Sequence, residues 1–451
     1  MRYTVSLCFV LLALPVAAGA QETEQKPTVE ERLDELDQKI RALDSKTEKE
    51  AAAEKEKTAG QATAGKDGFS LKSADGNFVL KLRGYVQLDG RFFQSDDQLP
   101  ATDTFTLRRV RPILEGTVYK IFDFQIMPDF GGGTTVLQNA YLEGRFNPKF
   151  RVRAGKFKPP VGLERLQSAS DILFVERAFP SNLVPNRDLG IQVAGDFGGG
   201  VTSYAVGVFN GVPDGASADV DTNDAKDYAA RVFFQPFVAG TGPFKNLGFG
   251  VAGSTGDQEG TVAAPGLPTF RTPAQQTFFS YRSDGTAPNT VIASGRRTRF
   301  SPQAYLYSGP FGLMAEYVTS KQAVQRGTVE RDLEHRAWQI AASWVLAGGG
   351  EPSYKAVNPK KIFDPAAHTW GTFELAARYH KQELDDATFP TFGNPASSAS
   401  AAEAWAVGFN WYFNRNLRLM FDYEDTSFTG GAATGDREAE EVFFSRFQIA
   451  F

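Results

Sequence analysis

The sequence predicts an all-β chain, a transmembrane antiparallel β-barrel of about 16 strands preceded by a short N-terminal coiled-coil helix. Three observations predict it: long stretches alternate with period two, the connections between them alternate short and long, and the last strand ends in an aromatic residue. Composition excludes the alternatives. A mean hydropathy of -0.30 over 451 residues is too polar for a bundle of membrane helices, each needing roughly 20 apolar residues. Yet 13% aromatic residues, 38 of them Phe, is more ring surface than a disordered chain carries. A net charge of -5 and a pI near 5.5 give no electrostatic reason to expect a nucleic-acid partner.

The elements follow in chain order. Residues 1–20 read as a signal peptide: Arg2 is the basic region, Leu7 to Val16 the apolar run, and Ala18-Gly19-Ala20 the cleavage site, so the mature chain is expected to begin at Gln21. Cys8 would leave with it, removing disulfide, thiolate and Cys-based metal chemistry. Residues 21–45 form a short coiled-coil segment: Leu33 and Ile40 fall at a positions and Val29, Leu36 and Leu43 at d positions. About two heptads are marginal alone, so the segment is either an oligomeric stalk or a solvated helix. Residues 46–66, rich in Ala, Glu, Lys and Thr, read as a helical or flexible linker.

Residues 67–451 form the barrel. Phe78, Leu80, Leu82, Val86, Leu88 and Phe92 share one face, against Lys81, Arg83, Tyr85, Gln87, Asp89 and Arg91. The pattern recurs in Trp338 to Leu346, Phe373 to Tyr379, Trp405 to Phe413 and Leu417 to Tyr423. Alternation alone also suits a soluble sandwich, so connection lengths decide. Short ones are Tyr119-Lys120, Asn147 to Lys149, Gly198 to Gly200, Ala239 to Pro243, Ser308 to Pro310 and Asn414 to Asn416. Long ones are Gln94 to Asp103, Lys158 to Arg187, Gly211 to Ala225, Thr255 to Arg296, Lys321 to Arg331, Glu383 to Ala402 and Ser427 to Ala439. Gly131 to Thr135 and Ala347 to Thr369 break the rule, which points to a misassigned strand pair. Val442 to Phe451 carries Phe443, Phe447 and Ile449 on one face. A terminal aromatic on such a strand resembles the signal read by the bacterial barrel assembly machinery, through Phe451.

Leu107 to Phe130, Asn139 to Phe146, Arg151 to Glu164 (RVRAGKFKPPVGLE) and Asp171 to Gly190 resemble the phosphate-selective porin O and P family, most densely between about Leu107 and Asn210. The resemblance implies a homotrimer of sixteen-stranded barrels in the bacterial outer membrane, its N-terminal segment in the periplasm. It also implies a pore in each subunit narrowed by inward loops and lined by Arg and Lys that recruit anions. No cofactor is implied.

Strand parity places Lys81, Arg83, Arg91, Arg109, Arg111, Arg145, Arg151, Arg153, Arg297, Arg299, Arg378, Arg418 and Arg446 inward. Arg109 with Arg111, Arg151 with Arg153, and Arg297 with Arg299 are i, i+2 pairs, about 7 Å apart along one face. Such a ladder offers an anion successive weak sites. Equally, Asp89, Asp129, Glu115, Glu143, Asp196, Glu374, Asp422 and Glu424 could balance it as ordinary lumen polarity. Lys158 to Arg187 is the candidate constriction loop, since Leu173, Phe174 and Val175 make it too apolar to lie in water. By the resemblance, Lys156, Lys158, Arg165, Arg177 and Arg187 join Arg109 and Arg111 as constriction candidates. Glu164, Asp171 and Glu176 nearly cancel the loop's basic residues, which argues against strict phosphate selectivity.

Other signals are weak. Gly248, Gly250 and Gly253 spell a dinucleotide fingerprint inside a strand pattern, His335, His368 and His380 lack ligand spacing, and no catalytic motif appears. The expectation is a passive outer-membrane diffusion channel, not an enzyme, with anion preference and phosphate or a related small anion as cargo. The alternatives are a general, weakly selective porin and a structural barrel that tethers the envelope.

Overall fold

A computed structural model describes residues 28–451 apart from 59, 66, 95–100 and 222, with only the helical backbone described for 52–58. The expected signal peptide lies outside the described residues. One unit of the chain is a helix, α1, Val29–Thr58. It runs through the expected coiled-coil segment into the stretch read as a linker, and Val29, Leu33, Leu36, Ile40 and Leu43 are all exposed along it. No helix among the described residues is long and apolar enough to cross a membrane.

The second unit, Gly60–Phe451, is a barrel. Its main sheet holds 18 strands, of which two form an N-terminal ribbon and sixteen a closed antiparallel ring. The ring begins with β1 Phe78–Phe93, β2 Thr104–Val118, β3 Phe122–Asp129, β4 Val136–Asn147 and β5 Phe150–Phe157. It continues with β6 Asp188–Phe197, β7 Thr202–Phe209, β8 Asp227–Phe234, β9 Asn246–Glu259 and β10 Val291–Ser308. Then come β11 Phe311–Arg326, β12 Val329–Ala347, β13 Thr372–Glu383, β14 Ala399–Tyr412, β15 Leu417–Gly430 and β16 Glu440–Ala450. Each pairs with its sequence neighbours. β16 closes on β1 from Val442 opposite Phe93 to Ala450 opposite Tyr85.

β1 is longer than the strand that closes on it. Its first residues would be an open edge, and the ribbon covers them: Gly68–Lys72 pairs Phe69 with Leu82 through Lys72 with Val79, and Gln61–Gly65 pairs on that strand in turn. Phe451 exchanges two backbone hydrogen bonds with Gly84, each 2.9 Å, and packs its ring edge-on against Phe69.

Alternation sorts the side chains as a two-sided wall requires. On β12, Leu333, His335, Ala337, Gln339, Ala341, Ser343 and Val345 are buried in the lumen, while Ile340, Trp344 and Leu346 are exposed outside. At the end holding Phe451, called here the turn end, most connections are short, and the opposite loop end carries most of the long ones. Both exceptions to the length rule are real. The turn Gly131–Gly133 joins β3 to β4 at the loop end, and residues 348–371 form a long turn-end connection with its own small ribbon. No strand pair is misassigned there.

Two expected loops are corrected. Lys321 to Arg331 is a hairpin turning at Gly327, whose φ of 58° suits glycine, and β9 and β10 run well into the segment Thr255 to Arg296. The reason is the same in both. Beyond the apolar band the outward positions become charged, so alternation fades although pairing continues. Lys321 meets Asp332 at 3.0 Å and Arg296 meets Asp257 at 2.7 Å across neighbouring strands.

The lumen is filled from both ends. Residues 158–187 fold inside, and inward small residues make the space. Leu163 and Phe174 pack against Ala341, Ala376 and Ala406 of β12, β13 and β14, and a Cβ on Gly408 would come within 3.2 Å of Phe174. From the loop end, residues 260–290 bring Phe270, Phe278 and Phe279 into the cluster with Phe179. From the turn end, the Tyr354 hydroxyl donates to the Leu163 carbonyl at 2.5 Å, and the Gln167 amide donates to the Tyr354 carbonyl at 2.7 Å.

Candidate functional site

The inward loop is fixed by acceptors on the wall. The Glu316 carboxylate accepts the backbone N–H groups of Leu163 at 2.6 Å and Glu164 at 3.3 Å. Asp422 accepts from Val175 at 2.5 Å, and His380 Nδ1 accepts from Phe179 at 3.3 Å. Glu164 accepts the Ala178 N–H at 2.8 Å and the Gln339 amide at 3.1 Å. Glu316, Asp422 and Glu164 thus accept backbone N–H groups of the loop, and Glu164 also meets Arg378 at 3.9 Å.

Glu176 is the exception. Arg108 Nε donates to it at 2.5 Å and Arg109 Nη2 at 3.1 Å, with Arg446 at 3.5 Å and Arg91 at 3.8 Å. Arg446 also forks onto Asp89 at 2.6 and 2.7 Å. Burial alone would raise the Glu176 carboxyl; Arg108, Arg109, Arg446 and Arg91 outweigh it and hold the group well below the usual range. A bulge brings Arg108 there. Gln87 opposes Arg109 but Leu88 opposes Leu107, so Arg108 is the extra residue and both arginines reach one carboxylate. Arg111 sits one step along, on Asp129 at 2.7 Å and the Tyr85 hydroxyl at 2.7 Å.

A second cationic group behaves differently. Lys158 Nζ donates to the Gln167 carbonyl at 2.6 Å. Arg177 donates to the carbonyls of Glu164 at 3.1 Å and Gln167 at 2.8 Å. Arg165 donates to the Ser181 carbonyl at 2.5 Å and the Asn186 amide oxygen at 3.2 Å. Arg187 donates to the amide oxygens of Asn139 at 2.9 Å and Asn186 at 2.8 Å. These four cations thus rest on neutral oxygens. Burial, then Arg177, Arg187 and Arg165, hold the Lys158 ammonium well below its usual range. Burial with Arg177 pushes Arg165 down to about 9, and burial with Arg111 pushes Arg187 down to about 9. Burial and neighbouring cations weigh on the charged forms of Lys158, Arg165 and Arg187, a load that an incoming anion would lighten, while Glu164 and Glu176 partly offset it at Arg177.

Beside this group lies a cavity of about 450 Å³, to which Arg83, Arg153, Lys158, Arg187 and Arg231 contribute but no Asp or Glu. A family model, phosphate-selective porin O and P, matches residues 80–451. The chain belongs to that family. The porin's backbone resembles the outer-membrane channel DcaP of Acinetobacter baumannii at TM-score 0.55 and 13% identity, over 84% of this chain and 99% of that one. It also resembles an anion-selective porin from Comamonas acidovorans, at 0.51 and 12%, over 83% and 100%. OmpT of Vibrio cholerae in its trimer form matches at 0.51 and 12%, over 83% and 99%. These identities speak for the fold, that of a bacterial outer-membrane barrel. Curated proteins returned no match.

The remaining candidates fall into place on the porin wall. Arg151 meets Asp196 at 2.8 Å, and Arg153 meets Glu143 at 2.7 Å while lying 4.2 Å over the Tyr141 ring. Lys156 is a correction. It follows Ala154 on the outward row of β5, opposite outward Leu189, and is paired with Asp219 of the β7–β8 connection, so it does not line the lumen. Arg297 and Arg299 do share the inward face, but they are buried and ion-paired. Arg297 meets Asp227 at 3.2 Å; Arg299 meets Asp214 at 2.6 Å and Asp227 at 2.9 Å. As a free anion ladder that pair is corrected too. Sequence reasoning missed Arg231, although Asp227, Ala229, Arg231 and Phe233 alternate plainly with Tyr228, Ala230, Val232 and Phe234. It also missed Arg108, since a bulge leaves no mark in parity.

Proposed function

We propose that this porin is a passive diffusion channel with a preference for anions, phosphate or a related small anion among them. One observation carries the reading: Lys158, Arg165, Arg177 and Arg187 make their hydrogen bonds to neutral oxygens, and Lys158 and Arg187 line a cavity to which no Asp or Glu contributes. An anion at the constriction would exchange water for several weak, successive donors, holding it without trapping it. Diffusion of this kind needs no cofactor.

The turn end is assigned to the periplasm, because short turns on that side are the rule for outer-membrane barrels. Phe451 is the assembly handle, seated where the ring closes. A homotrimer is supported by the wall's asymmetry. Trp338, Trp344, Trp370, Trp405 and Trp411, all the tryptophans of the chain, lie from β12 to β14, so one sector carries the aromatic anchors of a lipid-facing wall and the tryptophan-free strands from β1 to β11 hold the candidate subunit contact. The channel reading is tested by reconstitution in planar bilayers under a potassium chloride gradient, followed by replacement of chloride with phosphate. Conductance steps with an anion-selective reversal potential are expected. Silent membranes or cation selectivity would overturn it.

A further inference from the structure

The cavity beside Lys158 has two kinds of wall. Lys158 and Arg187 come from the ends of the inward loop and Arg231 from β8, and each donates to neutral oxygens: Lys158 to the Gln167 carbonyl, Arg187 to Asn139, and Arg231 to the Gln303 amide at 2.9 Å. The strands β1 to β5 bring an aromatic and apolar side, Tyr85, Ile113, Met127, Tyr141 and Phe157, interleaved with polar Arg83, Gln125, Asn139 and Arg153. Two of those rings already hold a cation, since the Arg153 guanidinium lies 4.2 Å over Tyr141 and 5.4 Å over Phe157.

We propose that this cavity selects organic anions with a flat apolar body, arenecarboxylates above all, over inorganic oxyanions. The inference rests on the anion-channel reading and names the cargo of the same site. Size is the first argument. A water takes about 30 Å³ of liquid, so a cavity of about 450 Å³ far exceeds a tetrahedral oxyanion. It reaches the range of roughly 300–1,000 Å³ typical of small-molecule sites. Chemistry is the second. A phosphate is strongly hydrated, and Ile113, Met127 and Phe157 offer it no donor in exchange for water. A ring carrying one carboxylate loses little by leaving water, packs on that wall, and presents its anionic end to Lys158, Arg187 and Arg231. Guanidiniums also stack on aromatic faces, so a ring is held by the same groups that hold the charge.

Single channels of the full-length protein in planar bilayers test this by block of the chloride current with benzoate, acetate and phosphate. Benzoate is expected to half-block at a concentration at least tenfold lower than acetate or phosphate. Ile113→Ser places a hydroxyl on the half-buried apolar wall and should shrink the benzoate-to-acetate ratio about fivefold. Phe157→Leu, which keeps an apolar side chain but removes the ring, should shrink it in the same direction. Anion selectivity with phosphate or acetate blocking as strongly as benzoate overturns this inference and leaves the channel reading intact. A ratio unmoved by both variants also overturns it. Cation selectivity overturns the channel reading and this inference with it.

Discussion

Two groups of buried cations lie in one lumen and are built on opposite plans. Around Glu176, four guanidiniums face a carboxylate inside hydrogen-bond or ion-pair distance, and Asp89 takes the fork of Arg446. Around Lys158, the cations rest on carbonyl and amide oxygens. The first arrangement holds the inward loop against the wall, because Glu176 belongs to the loop and its arginines to β1, β2 and β16. The second braces the loop on itself and, through Arg187 on Asn139, on β4, without a counter-charge in direct contact. A charged residue paired with its opposite is a clamp, and one left on neutral oxygens is available to a passing ion.

That contrast can be broken at the clamp first. Glu176→Gln leaves buried guanidiniums without their counter-charge. Removing one partner of a buried network typically costs about 3–5 kcal/mol, and a loss of that order is expected in urea unfolding of the folded barrel. A loss below about 1 kcal/mol would mean that the arginines are satisfied elsewhere. The second variant is the reverse case. Lys158→Gln with Arg187→Gln should lower the anion-to-cation permeability ratio by about fivefold while leaving unfolding unchanged or slightly harder, since like charges are removed. A fall in stability without a change in reversal potential would reverse the roles assigned to the two groups.

The barrel itself was legible because its cause is local. Period-two alternation and connection length are properties of neighbouring residues, and they placed the ring from Phe78 to Phe451. Legibility failed where the cause was not local. Lys321 and Asp332 look like loop residues until their pairing across two strands is seen. Asp214 and Asp227, which neutralise Arg299, come from a connection and a strand edge far from it in sequence. The loop's net charge says little by itself, because Glu176 takes its direct contacts from Arg108 and Arg109 of the wall and Glu164 takes its own from Ala178 and Gln339, all remote in sequence or invisible to a charge count. Inward Ala376, Ala406 and Gly408 were a usable sign that something large would enter the lumen, but alternation counts treat small residues as silent.

Acid and base should also separate the two groups. Lys158 is held below the ordinary lysine range near 10.4, so raising the pH discharges it ahead of exposed lysines. Anion preference should therefore decline between neutral pH and about pH 10, and Lys158→Arg, which keeps its charge, should flatten that decline. The clamp responds at the other end. Glu176 is depressed, so its contribution is fully present above the ordinary carboxylate value near 4.3 and is lost only as pH falls through its lower native value. Barrel stability should fall below about pH 4 with selectivity little changed above it. An anion preference unchanged up to about pH 10 would show that Lys158 does not face the permeating ion.

The smallest effect is expected where sequence parity pointed most directly to a ladder. Arg297 is buried on Asp227 at 3.2 Å, and that carboxylate also accepts from Arg299 at 2.9 Å and from the Gln258 amide at 2.9 Å. Arg297→Gln removes one cation from a carboxylate that keeps two donors. The local field seen by an ion beside Lys158 hardly changes, and the permeability ratio should move by less than about 1.3-fold. A drop matching that of the Lys158 and Arg187 variant would place Arg297 on the pathway. The rule drawn from the comparison, that pairing with a carboxylate withdraws an arginine from conduction, would then be wrong.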